Sequence, residues 1–260
     1  IAYINLQKEQ GRLTSGEADY WKEKIGNLQE YQYGYHKGWS MILDTLTWPV
    51  LIMMLICIGI APIFAGEYQS KCDSLILCMK YGRSKLILAK IISGWLYATG
   101  VYWGITLIYS SIYMIFLGTQ GADLPIQLKY PAMSVGYNLT MGEAVGITLL
   151  LGYFFTLGIM GITLFMSALL KNTYAVIIVA FLLIIIPTFL SLDTGGYVWS
   201  HVLSLLPPKI ADFSFQSYTA YSIGNIVLSW PVMAILVNAI VAVLCSVLGY
   251  IIFRKHQVNK

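Results

Sequence analysis

Charge is scarce in this chain. Asp, Glu, Lys and Arg make up 11% of its 260 residues, while 58% are hydrophobic and the mean hydropathy is +0.70. A soluble domain carries about 25% charged residues, so this composition excludes an ordinary water-soluble globule. Histidine is rarer still: His36, His201 and His256 are the whole set, and none neighbours a cysteine in sequence. The four cysteines, Cys57, Cys72, Cys78 and Cys245, show no ligand spacing, so no metal site is expected. Two of them lie inside apolar runs, which suits free thiols better than disulfides.

Other absences narrow the function. The chain has no Walker A loop, no HExxH, no paired histidines and no catalytic dyad. No catalytic residue, cofactor or nucleic-acid partner is therefore expected. No full charge lies within the apolar cores, which argues against a proton- or ion-coupled carrier, because such carriers keep an ionisable group in the membrane. A protein of this kind that moves a substrate is either a passive channel or draws energy from a partner.

What the sequence has is length of apolar run. Five stretches predict membrane-spanning helices, at residues 46–65, 91–117, 145–170, 174–190 and 226–253. The first, LTWPVLIMMLICIGIAPIFA, covers about 30 Å as a helix, the thickness of a hydrocarbon core. Pro62 predicts a kink in its last turn. The fourth is the shortest and is broken near its end by Pro187, and the last is longer than a bilayer needs and so predicts tilt.

Charge sets the direction. Residues 67–90 carry a net +3, Lys171 adds +1, and the tail 254–260 adds +3 from Arg254, Lys255 and Lys260. Five spans place these regions on one face with a total of +7. The opposite face holds 1–46, 118–144 and 191–225, each at −1. The positive-inside rule makes the basic face cytoplasmic, with residue 1 extracellular and the C-terminus in the cytoplasm. One further helix before Ile1 is expected, since proteins of this sort often begin inside.

Three segments lie outside the spans. Residues 1–45 form an extracellular loop segment with an amphipathic helix. Ser15 is its expected cap, and Trp21, Ile25 and Leu28 share a side. This segment either rests on the membrane or a neighbouring subunit, or gates and senses substrate. Residues 67–89 read as an amphipathic cytoplasmic helix. Leu75, Leu77 and Met79 reach apolar surroundings there, Lys71, Asp73 and Lys80 stay wet, and Gly82 permits a sharp turn before Arg83 and Ser84. It is either an interfacial anchor or a docking surface for a cytoplasmic partner. Glu67 stands at a helix C-terminus, where the dipole disfavours an anion, so Arg83 or Lys71 is expected to offset it. Residues 191–225 predict an outer re-entrant or interfacial region. Within the spans, Gly158 and Gly161 fall at helix-packing spacings, and Asn238 either lines a translocation path or makes a packing hydrogen bond.

The run IFAGEY followed by KYGRSKLILAKI, from Phe64 to Ile92, resembles the segment after the second span in permeases of the ABC-2 type ABC transporter family. Glu67, Gly82, Arg83, Ser84 and Lys90 stand where that pattern has its acidic residue, small-basic turn and helix-start lysine. LSLLPP at residues 203–208 is similar to the outer segment before the family's final helix. The resemblance covers residues 48–254 and departs at the front, where the family has six spans and this chain shows five. It implies an all-α polytopic membrane helix bundle of the type V ABC exporter kind. It also implies a homodimer or heterodimer with a related permease, surrounded by membrane lipids and docked to cytoplasmic ATP-binding subunits that hold the ATP and magnesium. The chain itself is then no enzyme, and Glu67, Leu75, Met79, Gly82, Arg83 and Lys90 couple it to the ATPase. The cargo implied is amphiphilic, such as an antimicrobial peptide or a lipid. The rival reading is a non-transporting membrane sensor or assembly protein.

Overall fold

A computed structural model describes residues 2–26, 33–45, 49–79, 81–82, 84–130, 136–190, 196–213, 215, 218–223 and 226–255. Helices dominate, and among the described residues four helical stretches are long and apolar enough to cross a membrane. They are Val50–Gln69, Lys85–Leu117, Met141–Leu169 and Trp230–Lys255. The fold is an all-helical membrane bundle class with one small hairpin added.

In chain order the helices are α1 (Ala2–Glu9), α2 (Ser15–Gly26), α3 (Lys37–Thr45), α4 (Val50–Ile60), α5 (Pro62–Gln69) and α6 (Asp73–Cys78). Then come α7 (Lys85–Leu117), α8 (Met141–Leu169), α9 (Thr173–Phe189), α10 (Tyr197–Leu203) and α11 (Trp230–Lys255). The strands β1 (Ala220–Ile223) and β2 (Ile226–Ser229) pair antiparallel, with Ala220 opposite Ser229 and Ile223 opposite Ile226.

Several expected boundaries move. The last helix starts at Trp230, not Ile226, because residues 226–229 are β2; Pro231 sits in the first turn, where its missing N–H costs nothing. The second expected span gains a turn and a half at its front, beginning at Lys85. The first continues past residue 65 to Gln69 after its break at Ala61–Pro62. The fourth is a 17-residue apolar helix, shorter than the other candidates. The expected amphipathic helix over 67–89 is divided: 67–69 finish α5, only 73–78 form α6, and 85–89 open α7.

The chain separates into two compact units. The first gathers residues 1–48, 106–152 and 191–235. Its centre is aromatic: Trp21, fully buried, meets Tyr137 and Tyr218 edge-on at 5.1 and 5.3 Å, and Phe213 stacks on Trp230 at 4.4 Å. Helix α2 is capped one residue earlier than expected, by Thr14 in place of Ser15. The Thr14 Oγ1 accepts from the Glu17 N–H, and Glu17 Oε2 accepts from the Thr14 N–H, a reciprocal capping box. Ile25 is half-buried, and Leu28 lies outside the described residues.

The second unit holds residues 49–105, 153–190 and 236–260. It is a helical bundle whose core includes Ile56, Ile60, Phe64, Met160, Leu164 and Phe253. Small residues set its closest approaches. A Cβ on Gly161 would stand 2.7 Å from the Ala242 Cα, so α8 and α11 touch backbone to backbone there. Such contact is how helices pack where lipid removes the hydrophobic drive.

Candidate functional site

Two of the residues that pointed to a function, Glu67 and Lys90, meet in the second unit. Helix α5 carries Glu67 in its last turn, and α7 carries Lys90 in its second. The Lys90 ammonium donates to Glu67 Oε1 and, at 2.8 Å, to the Ile63 carbonyl. The expected partners were Arg83 or Lys71; the partner seen among the described residues is Lys90. Arg83 lies outside the described residues, as does Lys80. The reason is the extended front of α7: starting at Lys85, it brings Lys90 level with the end of α5. Lys90 also lies 5.7 Å from the centre of the Phe64 ring. Both charged side chains are mostly covered, at 22% and 16% exposure, and Glu67 Oε2 is buried without a hydrogen-bond partner among the described residues. A pair this enclosed holds two helices in fixed register more firmly than a solvated surface pair.

Helix α5 is tied down on its other sides as well. The Tyr68 hydroxyl donates to the Ala168 carbonyl at 3.1 Å, and the Gln69 amide donates to Asn172 Oδ1 at 3.1 Å. Asn172 caps α9 with the same oxygen, accepting from the Tyr174 N–H. Phe64 and Tyr68 lie against Phe253 of α11. Four helices thus clasp one short segment.

Beyond α5 the chain turns outward. Lys71 takes a left-handed conformation at φ +53°, and α6 follows. Leu75 is 70% exposed and Met79 52% exposed, so both apolar side chains stand away from the described fold. Gly82 then passes so close to α6 that a Cβ would stand 1.6 Å from the Ile76 carbonyl oxygen. Its role is close approach, since its backbone does not enter the left-handed region. The arrangement presents two exposed apolar side chains in the chain that follows α5.

Asn238 and Gly158 do come together. Asn238 is 2% exposed, and a Cβ on Gly158 would stand 2.5 Å from its Oδ1. Gly161 meets Ala242 one turn further on. These residues pack α8 against α11.

The first unit holds polar contacts that sequence reasoning missed. Glu17 is fully buried and accepts a hydrogen bond from the Tyr197 hydroxyl at 2.8 Å. Burial pushes Tyr197 up to about 12, with Glu17 reinforcing the shift. The Tyr221 hydroxyl donates to the His201 carbonyl at 2.7 Å and meets Ser204 Oγ, and burial pushes it up to about 12 against the Ser204 contact. The outward side of α10 is apolar, with Val198, Trp199 and Val202 exposed. Lys129 donates to the Ser40 carbonyl and Asp44, and burial lowers its pKa while Asp44 opposes. No group of His, Cys, Asp and Glu among the described residues is placed to hold a metal.

No curated protein and no solved structure matches this chain. One family does, described as Protein of unknown function (DUF2705), and its model matches residues 21–258. The chain belongs to that DUF2705 family.

Proposed function

We propose that this chain is the membrane-spanning permease subunit of an ATP-driven transporter of the ABC-2 kind. In this reading it crosses the membrane five times in the sequence given and pairs with itself or a related permease. It exports an amphiphilic cargo such as an antimicrobial peptide or a lipid. ATP and magnesium bind to separate cytoplasmic subunits, which dock on residues 67–89. The observation that carries the proposal is the junction just described: Glu67 and Lys90 clasp α5 to α7, and Leu75 and Met79 stand exposed on the turn between those helices, where Gly82 packs against α6. Exposed apolar side chains of this kind fit a groove on a partner, where a few buried contacts carry most of the affinity. The clasp passes a push on that turn to the spans.

The orientation has support from the fold. The three segments that carry −1 each, 1–46, 118–144 and 191–225, all contribute to the first unit. The segments that carry +7 lie wholly in the second. The basic end is the cytoplasmic one.

Purification in mild detergent from its native membrane tests the proposal. A stoichiometric cytoplasmic ATP-binding protein is expected with the wild-type chain and is expected to be lost with Leu75→Asp. Reproducible absence of such a partner from the wild type favours the sensor or assembly reading.

A further inference from the structure

The break between α4 and α5 is held by a side chain from another helix. Ser167 of α8 is fully buried, and its hydroxyl is saturated. It donates to the Ala61 carbonyl at 2.7 Å and accepts from the Phe64 and Ala65 N–H groups at 3.0 Å each. A hydroxyl has one donor and two acceptor positions, so all three are used. In an unbroken helix the Ala65 N–H would meet the Ala61 carbonyl directly. Here the Ser167 oxygen stands between those two groups. A side chain inserted into the ladder is one of the known causes of a helix kink, and Pro62 supplies a second at the same turn.

We infer that Ser167 is the latch of a two-state joint at Ala61–Pro62, in which its hydroxyl is either inserted in the α4–α5 ladder or withdrawn to its own helix. The hydrogen bonds balance between the two states. Inserted, Ser167 makes the three bonds observed. Withdrawn, the Ala65 N–H closes on the Ala61 carbonyl and the Phe64 N–H on the Ile60 carbonyl. The Ser167 hydroxyl then turns to the Thr163 carbonyl four residues back. Two neighbours already show that last geometry: Thr163 donates to the Ile159 carbonyl at 2.8 Å and Ser246 to the Ala242 carbonyl at 2.7 Å. Three bonds are exchanged for three at the joint, and the Phe64 and Ala65 N–H groups are met in both states, which matters in lipid, where an unmet backbone group is costly. A joint whose own hydrogen-bond count is equal in both arrangements favours neither by bonding alone, and packing with two such arrangements turns small displacements into discrete ones.

The switch belongs to this chain alone and goes beyond the transporter reading, which can fail without it. What moves is α5 with Glu67 and α6 behind it, so the ties of Glu67, Tyr68 and Gln69 are remade in the second state. The joint lies seven residues from Gln69, about 11 Å along the helix, so removing a kink of about 20° carries that end about 4 Å sideways.

Spin labels at Gln69 and at Leu182, which is 47% exposed on α9, report that displacement in the full chain reconstituted in nanodiscs. Cys72, Cys78 and Cys245 are replaced by serine, and buried Cys57 is kept. Ser167→Ala is expected to shift the principal distance by about 4 Å relative to wild type, while Ser167→Thr, which keeps the hydroxyl, stays at the wild-type distance. Pro62→Ala restores an N–H at the joint and is expected to shift it in the same direction with Ser167 intact, which covers the case of a poorly folded Ser167→Ala. Amide exchange of the 60–69 segment is the second readout. Protection within about threefold of wild type is expected when the ladder closes on itself, since the amides stay bonded. Unchanged distances in both variants overturn the joint. Loss of amide protection in Ser167→Ala overturns the exchange of partners and leaves Ser167 as a fixed cap.

Discussion

The two units of this protein hold together by different chemistry. The first is built from aromatic rings and polar contacts: a buried carboxylate on a phenol, tyrosine hydroxyls on carbonyls, and a lysine on a carbonyl and an aspartate. The second is built from close backbone approach, with one enclosed ion pair and hydroxyls returned to helix carbonyls. Water explains the difference. A unit assembled from loops exposes many backbone groups and needs side chains to satisfy them, whereas helices satisfy their own and compete only for contact area. The second unit departs from that rule at Ala61–Pro62 and along α5 from Glu67 to Gln69, where the first apolar helix bends and ends. Those are also the places that carry the functional proposals.

The largest effect separating the two units is expected from Gly161→Leu. Its side chain has nowhere to go between α8 and the Ala242 backbone, and overpacking of this kind costs about 3 kcal/mol. Thermal unfolding should drop the second unit while Trp21 fluorescence from the first changes last; an unchanged midpoint would mean α8 and α11 do not touch as described.

Glu17→Ala is the counterpart in the first unit. It removes half of a capping box and the acceptor of the Tyr197 hydroxyl, a loss of about 2 kcal/mol. The effect should be confined to proteolytic sensitivity of residues 1–26 and 196–213. Cleavage spreading into the second unit would show that the two do not unfold separately.

Alkaline pH should reach the first unit in a defined window. A free tyrosine ionises near pH 10, while Tyr197 and Tyr221 are held up to about 12. The unfolded chain therefore loses these protons first, and stability that is whole below pH 10 falls as pH rises towards 12. Near-ultraviolet circular dichroism across that range measures it, and a flat profile would place both hydroxyls in water.

The smallest effect on stability, about 1 kcal/mol, is expected from Glu67→Gln, which keeps an amide oxygen to accept from Lys90 and loses only the charge on that bond. Its larger consequence should be functional: insertion and abundance unchanged, with stimulated ATP turnover of the assembled complex reduced. Turnover at the wild-type level in both Glu67→Gln and Leu75→Asp, at matched abundance, would reduce residues 67–89 to an interfacial anchor.

Much of the fold was legible because lipid imposes strong rules on sequence. Runs of twenty apolar residues, Pro62 as a break and Gly158 with Gly161 as packing surfaces all read directly. The errors share a cause. The stretch from Ile226 to Ser229 is apolar in either a strand or a helix, and periodicity does not separate short runs. Gly224 and Asn225 between two such runs, and Pro231 after them, were the available signals for a hairpin followed by a helix start. Thr14 with Glu17 three residues on was the available signal for the true cap. For Glu67, proximity in sequence suggested Arg83 or Lys71, but α7 begins early enough to bring Lys90, 23 residues away, to the carboxylate.

Composition and the length of apolar runs alone pointed to a mostly helical membrane protein and to its span candidates, because transfer into lipid acts on residues independently of their distant neighbours. Which carboxylate met which ammonium, why Gly82 has no room for a methyl group, and what satisfied the amides at Pro62 were decided by folding. Ser167 is more than 100 residues from the groups it serves. A hydrogen bond acts over about 3 Å and carries no mark in the sequence of either partner until the helices are packed.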